Sequence, residues 1–160
     1  IDLDNGVIVS ALVAVNAVGE IVDTVSNTVV AGIRANDVGQ YDSAIDVALG
    51  NTATVPVAGT NTTLGLIATN ANLSKAQLKK VAEMAHDGMA RAIRPIHTQF
   101  DGDTVFAVSM PWSEVETPPE AQLNSIGIAG AKALEFAIVD AVRSAKSVGD
   151  VVACCDWHID

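Results

Sequence analysis

From Val7 to Val15 the chain is an almost unbroken apolar run, rich in β-branched residues and interrupted at Ser10. Such a run predicts a buried strand. Gly19-Glu20 followed by Ile21-Val22 predicts a turn into a second strand, and Val29 to Ile33 a segment that pairs nearby. From Asn36 to Gly59 the text is more polar, with scattered glycines and only two apolar knots, Ala44 to Leu49 and Val55-Pro56-Val57. It reads as a long, partly mobile loop. Thr62 to Thr69 carries the strongest strand pattern. Ser74-Lys75-Ala76-Gln77 then has the form of a capping box, and Leu78, Val81, Ala85, Met89, Ala92 and Ile93 recur on one helical stripe that Pro95 ends. A strand over Thr104 to Met110 follows. Thr117-Pro118-Pro119-Glu120 opens a second helix with proline at its first position, running to about Lys146 and stopped by Gly149. Gly127 and Gly130 lie on its apolar stripe with Ile126 and Leu134, which predicts close approach of another backbone there. Strands first, then strand and helix in alternation, predict stacked α and β layers.

Composition narrows this picture. At 160 residues and 16.5 kDa the chain fits one domain with one core. Hydrophobic residues make up 49% but aromatics only 4%, so that core is built from Ala, Val, Ile and Leu. A formal net charge of −10 opposes a phosphate backbone, which argues against nucleic acid as a partner. Lys75, Lys79, Lys80, Arg91 and Arg94 gather in one region but alternate with apolar positions, Glu83 and Asp87, and read as a solvated helix face rather than a site for a substrate carboxylate. Adjacent Cys154 and Cys155 cannot close an ordinary disulfide. His86, His97 and His158 lack metal-ligand spacing, and Cys154-Cys155-Asp156-Trp157-His158 lacks the four ligands of a tetrahedral corner, so neither metal nor cofactor is expected. The apolar run at Val7 to Val18 is too short to span a bilayer. No membrane association is expected, and the expected location is the cytoplasm.

Two short stretches carry candidate chemistry. Asn61-Thr62-Thr63 heads the strongest strand, and Asp101-Gly102-Asp103 lies about forty residues on. If the Asn61–Thr62 bond is cut, Thr62 becomes an N-terminal residue. Its α-amine, with a reference pKa of roughly 7.7–8.0, can then take the proton of its own hydroxyl. By themselves the two threonines read as a strand-initiating pair, and Asp101-Gly102-Asp103 as a solvated turn. Extended alternation would put Asp101 and Asp103 on one side, where both can approach one amine.

The run from Asn61 through Ala68-Thr69-Asn70-Ala71, Met84-Ala85-His86-Asp87-Gly88, Ala90 to Pro95 and Phe100 to Ala107 resembles the L-aminopeptidase/D-esterase family, which includes the nylon-oligomer (6-aminohexanoate-oligomer) endohydrolases. The resemblance implies an autoprocessed N-terminal-nucleophile hydrolase acting on the amide bonds of short peptides or small amino amides. It implies a layered αββα sandwich of the α/β class, incomplete without an N-terminal part that supplies a lysine and other pocket residues. By it, residues 1–160 are a single domain, the C-terminal portion of a longer precursor. Residues 1–61 would end the α-fragment, with a mobile loop over 36–61, and residues 62–160 would form the β-fragment. Thr62 is then the nucleophile, Asn61–Thr62 the scissile bond, Asn16 the oxyanion-stabilising amide and Asp101 with Asp103 the acidic pair beside the nucleophile. The implied partners are the complementary N-terminal fragment and further copies, as a heterodimer of cleaved fragments assembled into a homo-oligomer. Two rival expectations are an unprocessed, non-catalytic domain that binds small amino compounds, and an acyltransferase on the same self-cleaving plan.

Overall fold

A computed structural model describes residues 1–3, 6–50, 61–111 and 120–157. The predicted strand and its partners form one four-stranded sheet in the order β1-β2-β7-β9, where β1 is Asp2–Leu3, β2 Val7–Ala14, β7 Leu64–Thr69 and β9 Thr104–Ser109. β2 runs antiparallel to β7, with Ala14 opposite Leu64, and β9 runs parallel to β7, with Thr104 beside Leu64. A second sheet has the order β4-β3-β8, formed by Thr28–Ala31, Glu20–Asp23 and Ile93–Arg94.

The helix predicted from the stripe at Leu78 to Ala92 is α2, Lys75–Ala92, and its capping box is present in both directions: the Ser74 hydroxyl accepts from Gln77 N–H and the Gln77 side chain accepts from Ser74 N–H. It packs along α3, Glu120–Ser144, and both helices lie on the sheet. Strand alternation supplies the sheet's half of this core through Val7, Val9, Ile67 and Val105, and the helices supply Val81, Met89, Ile126, Leu134 and Ile138, all buried. The opposite face of the same strands is also apolar, yet Leu12 and Met110 are each 70% exposed and Phe106 is 59% exposed. The described residues thus form one helical layer on one side of a sheet whose other side is built for burial as well.

Three sequence expectations are corrected. The stretch read as loop from residue 36 holds the turn and second strand of a hairpin, β5 Ile33–Arg34 with β6 Tyr41–Asp42, and a short helix, α1 Ala44–Leu49. Local signals outweigh its polarity: Gly39 turns the hairpin at φ 81°, Ser43 caps α1 by accepting from Asp46 N–H, and the buried Glu20 carboxylate accepts from Ala44 N–H at 3.1 Å. The remainder of that stretch, residues 51–60, and the Thr117, Pro118 and Pro119 positions of the expected cap lie outside the described residues, as does His158. Next, α3 ends at Ser144, and Gly149 serves at φ 56° in the tight turn that bridges Val148 and Val151. A final short helix, α4, spans Cys154–Trp157.

The third correction concerns the close helix contact. A side-chain carbon at Gly130 would meet Ile67 at an ordinary 3.4 Å, and one at Gly127 would meet the flexible Met84 thioether. The tight backbone approach is instead at Gly88 of α2, where such a carbon would fall 2.1 Å from the Ala131 carbonyl oxygen. In an exposed helix Gly→Ala is stabilising by up to ~1 kcal/mol. Here the sign reverses at Gly88, because a carbonyl of the facing helix cannot move aside. Gly88→Ala is predicted to destabilise by about 1–3 kcal/mol, whereas Gly130→Ala is neutral or stabilising, and urea denaturation of the two variants reads the difference.

Candidate active site at the head of the central strand

The sheet registers bring the candidate residues to one edge. Carried two residues past its end, the antiparallel register of β2 and β7 sets Asn16 opposite Thr62, and Thr62 N–H donates to the Asn16 carbonyl at 2.9 Å. The parallel register of β7 and β9, carried back the same distance, sets Gly102 beside Thr62 and pairs Asn61 with Asp101. Its rungs continue as Gly102 N–H to the Asn61 carbonyl at 3.0 Å and Thr104 N–H to the Thr63 carbonyl at 3.1 Å. Sheet pairing alone therefore joins residues separated by more than eighty positions.

At that edge the Asn61 carbonyl oxygen accepts two hydrogen bonds, from Gly102 N–H and from the Thr62 hydroxyl at 2.7 Å. Two donors on one carbonyl polarise it toward nucleophilic attack. Gly102 is required for this approach, because a side-chain carbon there would stand 2.7 Å from the Thr62 hydroxyl oxygen. Alternation separates the two threonines. Thr63 is fully buried toward the helices, its hydroxyl without a hydrogen-bond partner among the described residues, while Thr62 is half-exposed and follows the alternation of Leu64 and Leu66 on the outer face. A groove of about 340 Å³ opens beside this edge and is lined by Asn16, Val15, Ala17, Ile21 and Ala31 among others.

The two aspartates do not converge on Thr62. Asp103 is nearly buried, its side chain 4% exposed, and its carboxylate accepts from Thr63 N–H at 2.8 Å through one oxygen and faces His97 Nδ1 at 3.1 Å through the other. Asp101 turns into its own loop and accepts from Thr98 N–H at 2.9 Å and the Thr98 hydroxyl at 2.7 Å. One carboxylate thus fixes the residue after Thr62, and the other shapes the loop that presents Gly102. The contributions of Gly102 and His97 were not visible in the sequence. A glycine between two aspartates reads as a turn, and only the parallel register reveals its N–H as a rung on the Asn61 carbonyl.

His97 also meets His86 of α2 edge to face, ring centroids 4.9 Å apart. Burial, and then the neighbouring His97, hold His86 below the ordinary histidine pKa, opposed by the Asp103 and Asp87 carboxylates.

A sequence profile of peptidase family S58 matches residues 2–153. A Mycobacterium leprae protein described as an uncharacterized aminopeptidase is 34% identical, across 97% of this chain and 46% of its own length. A 6-aminohexanoate-oligomer endohydrolase of Paenarthrobacter ureafaciens is 35% identical, across 74% of this chain and 34% of its own. The chain spans about half the length, or less, of the curated relatives it matches. Among solved structures, the L-aminopeptidase D-Ala-esterase/amidase of Ochrobactrum anthropi, described as a variant of the Ntn hydrolase fold, superposes with a TM-score of 0.51 at 25% identity over 60% of this chain and 31% of its own.

A lowered folded-state pKa at His86 means that the unfolded chain takes up the proton first as pH falls. Its contribution is therefore neutral above the ordinary histidine value of about 6.5 and destabilising as pH drops through it. The melting temperature is predicted to fall between about pH 7.5 and 5.5, and to fall less in His86→Gln, as followed by circular dichroism.

Proposed function

The chain belongs to peptidase family S58, and from that membership we propose that it is the nucleophile-bearing part of a self-cleaving N-terminal-nucleophile amidohydrolase, with Thr62 as the nucleophile. The observation that carries the proposal is the Asn61 carbonyl, held between the Thr62 hydroxyl at 2.7 Å and the Gly102 N–H at 3.0 Å. A hydroxyl adjacent to a polarised carbonyl is the arrangement an acyl shift needs.

In self-cleavage the Thr62 oxygen attacks the Asn61 carbonyl carbon, and the Gly102 N–H stabilises the charge that gathers on its oxygen. The Asn61–Thr62 C–N bond breaks as the nitrogen takes the hydroxyl proton, leaving an ester on Thr62. Water hydrolyses that ester, giving the Asn61 carboxylate and a free α-amine on Thr62. The amine stays where Thr62 N–H already points, at the Asn16 carbonyl. It then serves as the base for the same hydroxyl.

In turnover the Thr62 oxygen attacks a substrate amide carbonyl, the amine passes the proton to the leaving amine, and water releases the acyl group. The Asn16 side-chain amide stabilises the oxyanion, an interaction worth roughly 2.7–4 kcal/mol in another hydrolase. Asp103 holds the backbone that carries the nucleophile, and Asp101 holds the Gly102 loop. The substrates are short peptides or small amino amides, since the relatives are described as aminopeptidases and a 6-aminohexanoate-oligomer endohydrolase. The apolar sheet face at Leu12, Phe106 and Met110, onto which the Thr62 side opens, is the surface that a second sheet from a longer product would cover. After cleavage the two fragments remain together as a heterodimer and assemble further.

Intact mass spectrometry of the full-length gene product tests the proposal. Two fragments are expected, the second beginning at Thr62, with one uncut chain in Thr62→Ala. An uncut parent chain would refute it. Gly102→Ala places a carbon against the Thr62 hydroxyl and is expected to slow self-cleavage by about a hundredfold, read as the half-time for appearance of the second fragment.

A further inference from the structure

Three groups line up behind the candidate nucleophile, away from the face on which it reacts. The Asp103 carboxylate accepts from Thr63 N–H at 2.8 Å, and its second oxygen is 3.1 Å from His97 Nδ1. His97 in turn rests against the His86 ring, at 4.9 Å between centroids and an interplanar angle of 64°. A carboxylate with a single anchor can turn about its terminal torsion, which is broad. One held at both oxygens cannot turn without breaking a bond. Thr63 directly follows Thr62, so the orientation of Asp103 sets the position of the backbone that bears the nucleophile.

The backbone at His97 shows the same constraint. Its φ is 57°, in the left-handed region that residues other than glycine enter uncommonly and that recurs at functional sites. Among the described residues the other non-glycine example is Asn27, in the β3–β4 turn, where asparagine is favoured. At His97 this conformation carries the ring to Asp103 on one side and to α2 on the other.

We propose that His97 is a positioning residue for Thr62: it locks the Asp103 carboxylate from behind, braced by His86, so that Thr63 and the hydroxyl before it are held on the Asn61 carbonyl. This rests on the reading of Thr62 as the self-cleaving nucleophile. The groups that face His97 are Asp103 and, from α2, His86, with Asp87 next to it. In this role the imidazole donates from Nδ1 and neither gains nor loses a proton during the reaction.

The test separates the side chain from the backbone. In the full-length protein, His97→Asn keeps a donor near the Nδ1 position and tolerates the left-handed backbone, whereas His97→Gly relaxes the backbone and removes the donor. The rate of self-cleavage, read by intact mass, is expected to stay within about threefold of the parent in His97→Asn and to fall about ten- to a hundredfold in His97→Gly. Because His97 acts through Asp103, the double variant His97→Gly with Asp103→Asn should be no slower than Asp103→Asn alone. A His97→Gly protein that cleaves like the parent, a His97→Asn protein as slow as His97→Gly, or strictly additive losses would each overturn the role. If the parent chain itself does not cleave at Asn61–Thr62, it is the nucleophile assignment that fails.

Discussion

The constraint on which the rest depends is the parallel rung between Gly102 N–H and the Asn61 carbonyl. It is an ordinary sheet hydrogen bond, continued one step ahead of the first residues of β7 and β9, and it falls on the carbonyl that the Thr62 hydroxyl also touches. Because the register is set by buried alternation along both strands, the donor cannot slip by one residue without turning Val105 or Ile67 out of the core. Positioning of the candidate chemistry is in this sense inherited from the sheet. What is local to the site is the absence of a side chain at Gly102, without which the hydroxyl and the rung could not share one oxygen.

The two faces of the sheet divide the labour. Toward the helices, Thr63 is buried and Asp103 and His97 fix the backbone, with α2 pressed against α3 closely enough that Gly88 meets the Ala131 carbonyl. Toward the other side stand Thr62 and the apolar row of Leu12, Leu64 and Phe106. Rigid packing behind Thr62 and an open face in front of it suit the proposed self-cleavage and the proposed attack on a substrate amide. The same open face is large, apolar and exposed in these residues, which fits a chain spanning about half of its curated relatives.

Much of this was legible in the sequence, for identifiable reasons. β2, β7 and β9 carry apolar, β-branched runs, and α2 an apolar stripe behind an unambiguous cap, so their existence follows from local pattern. Thr62, Asn16, Asp101 and Asp103 stand out as candidates because their residue types suit the proposed chemistry and the motifs around them resemble a known family. The hairpin and α1 were missed because their signals are short-range, a glycine turn and a serine cap inside polar text. Periodicity points to Gly127 and Gly130 rather than to Gly88, because it identifies a face but not the point where two helices cross. Gly102 and His97 were beyond reach for a deeper reason: strand register and a left-handed φ are relations between distant segments, and no spacing along one chain encodes them.

The most direct measurement is to trap the acyl-enzyme. The processed full-length protein would be incubated with a slow amino-acid amide or ester, quenched in acid and digested, and the modified peptide located by mass spectrometry. An acyl group is expected on the hydroxyl of Thr62, on a peptide that begins with that residue. An acyl group on another side chain, or steady hydrolysis with Thr62 replaced by alanine, would contradict Thr62 as the nucleophile.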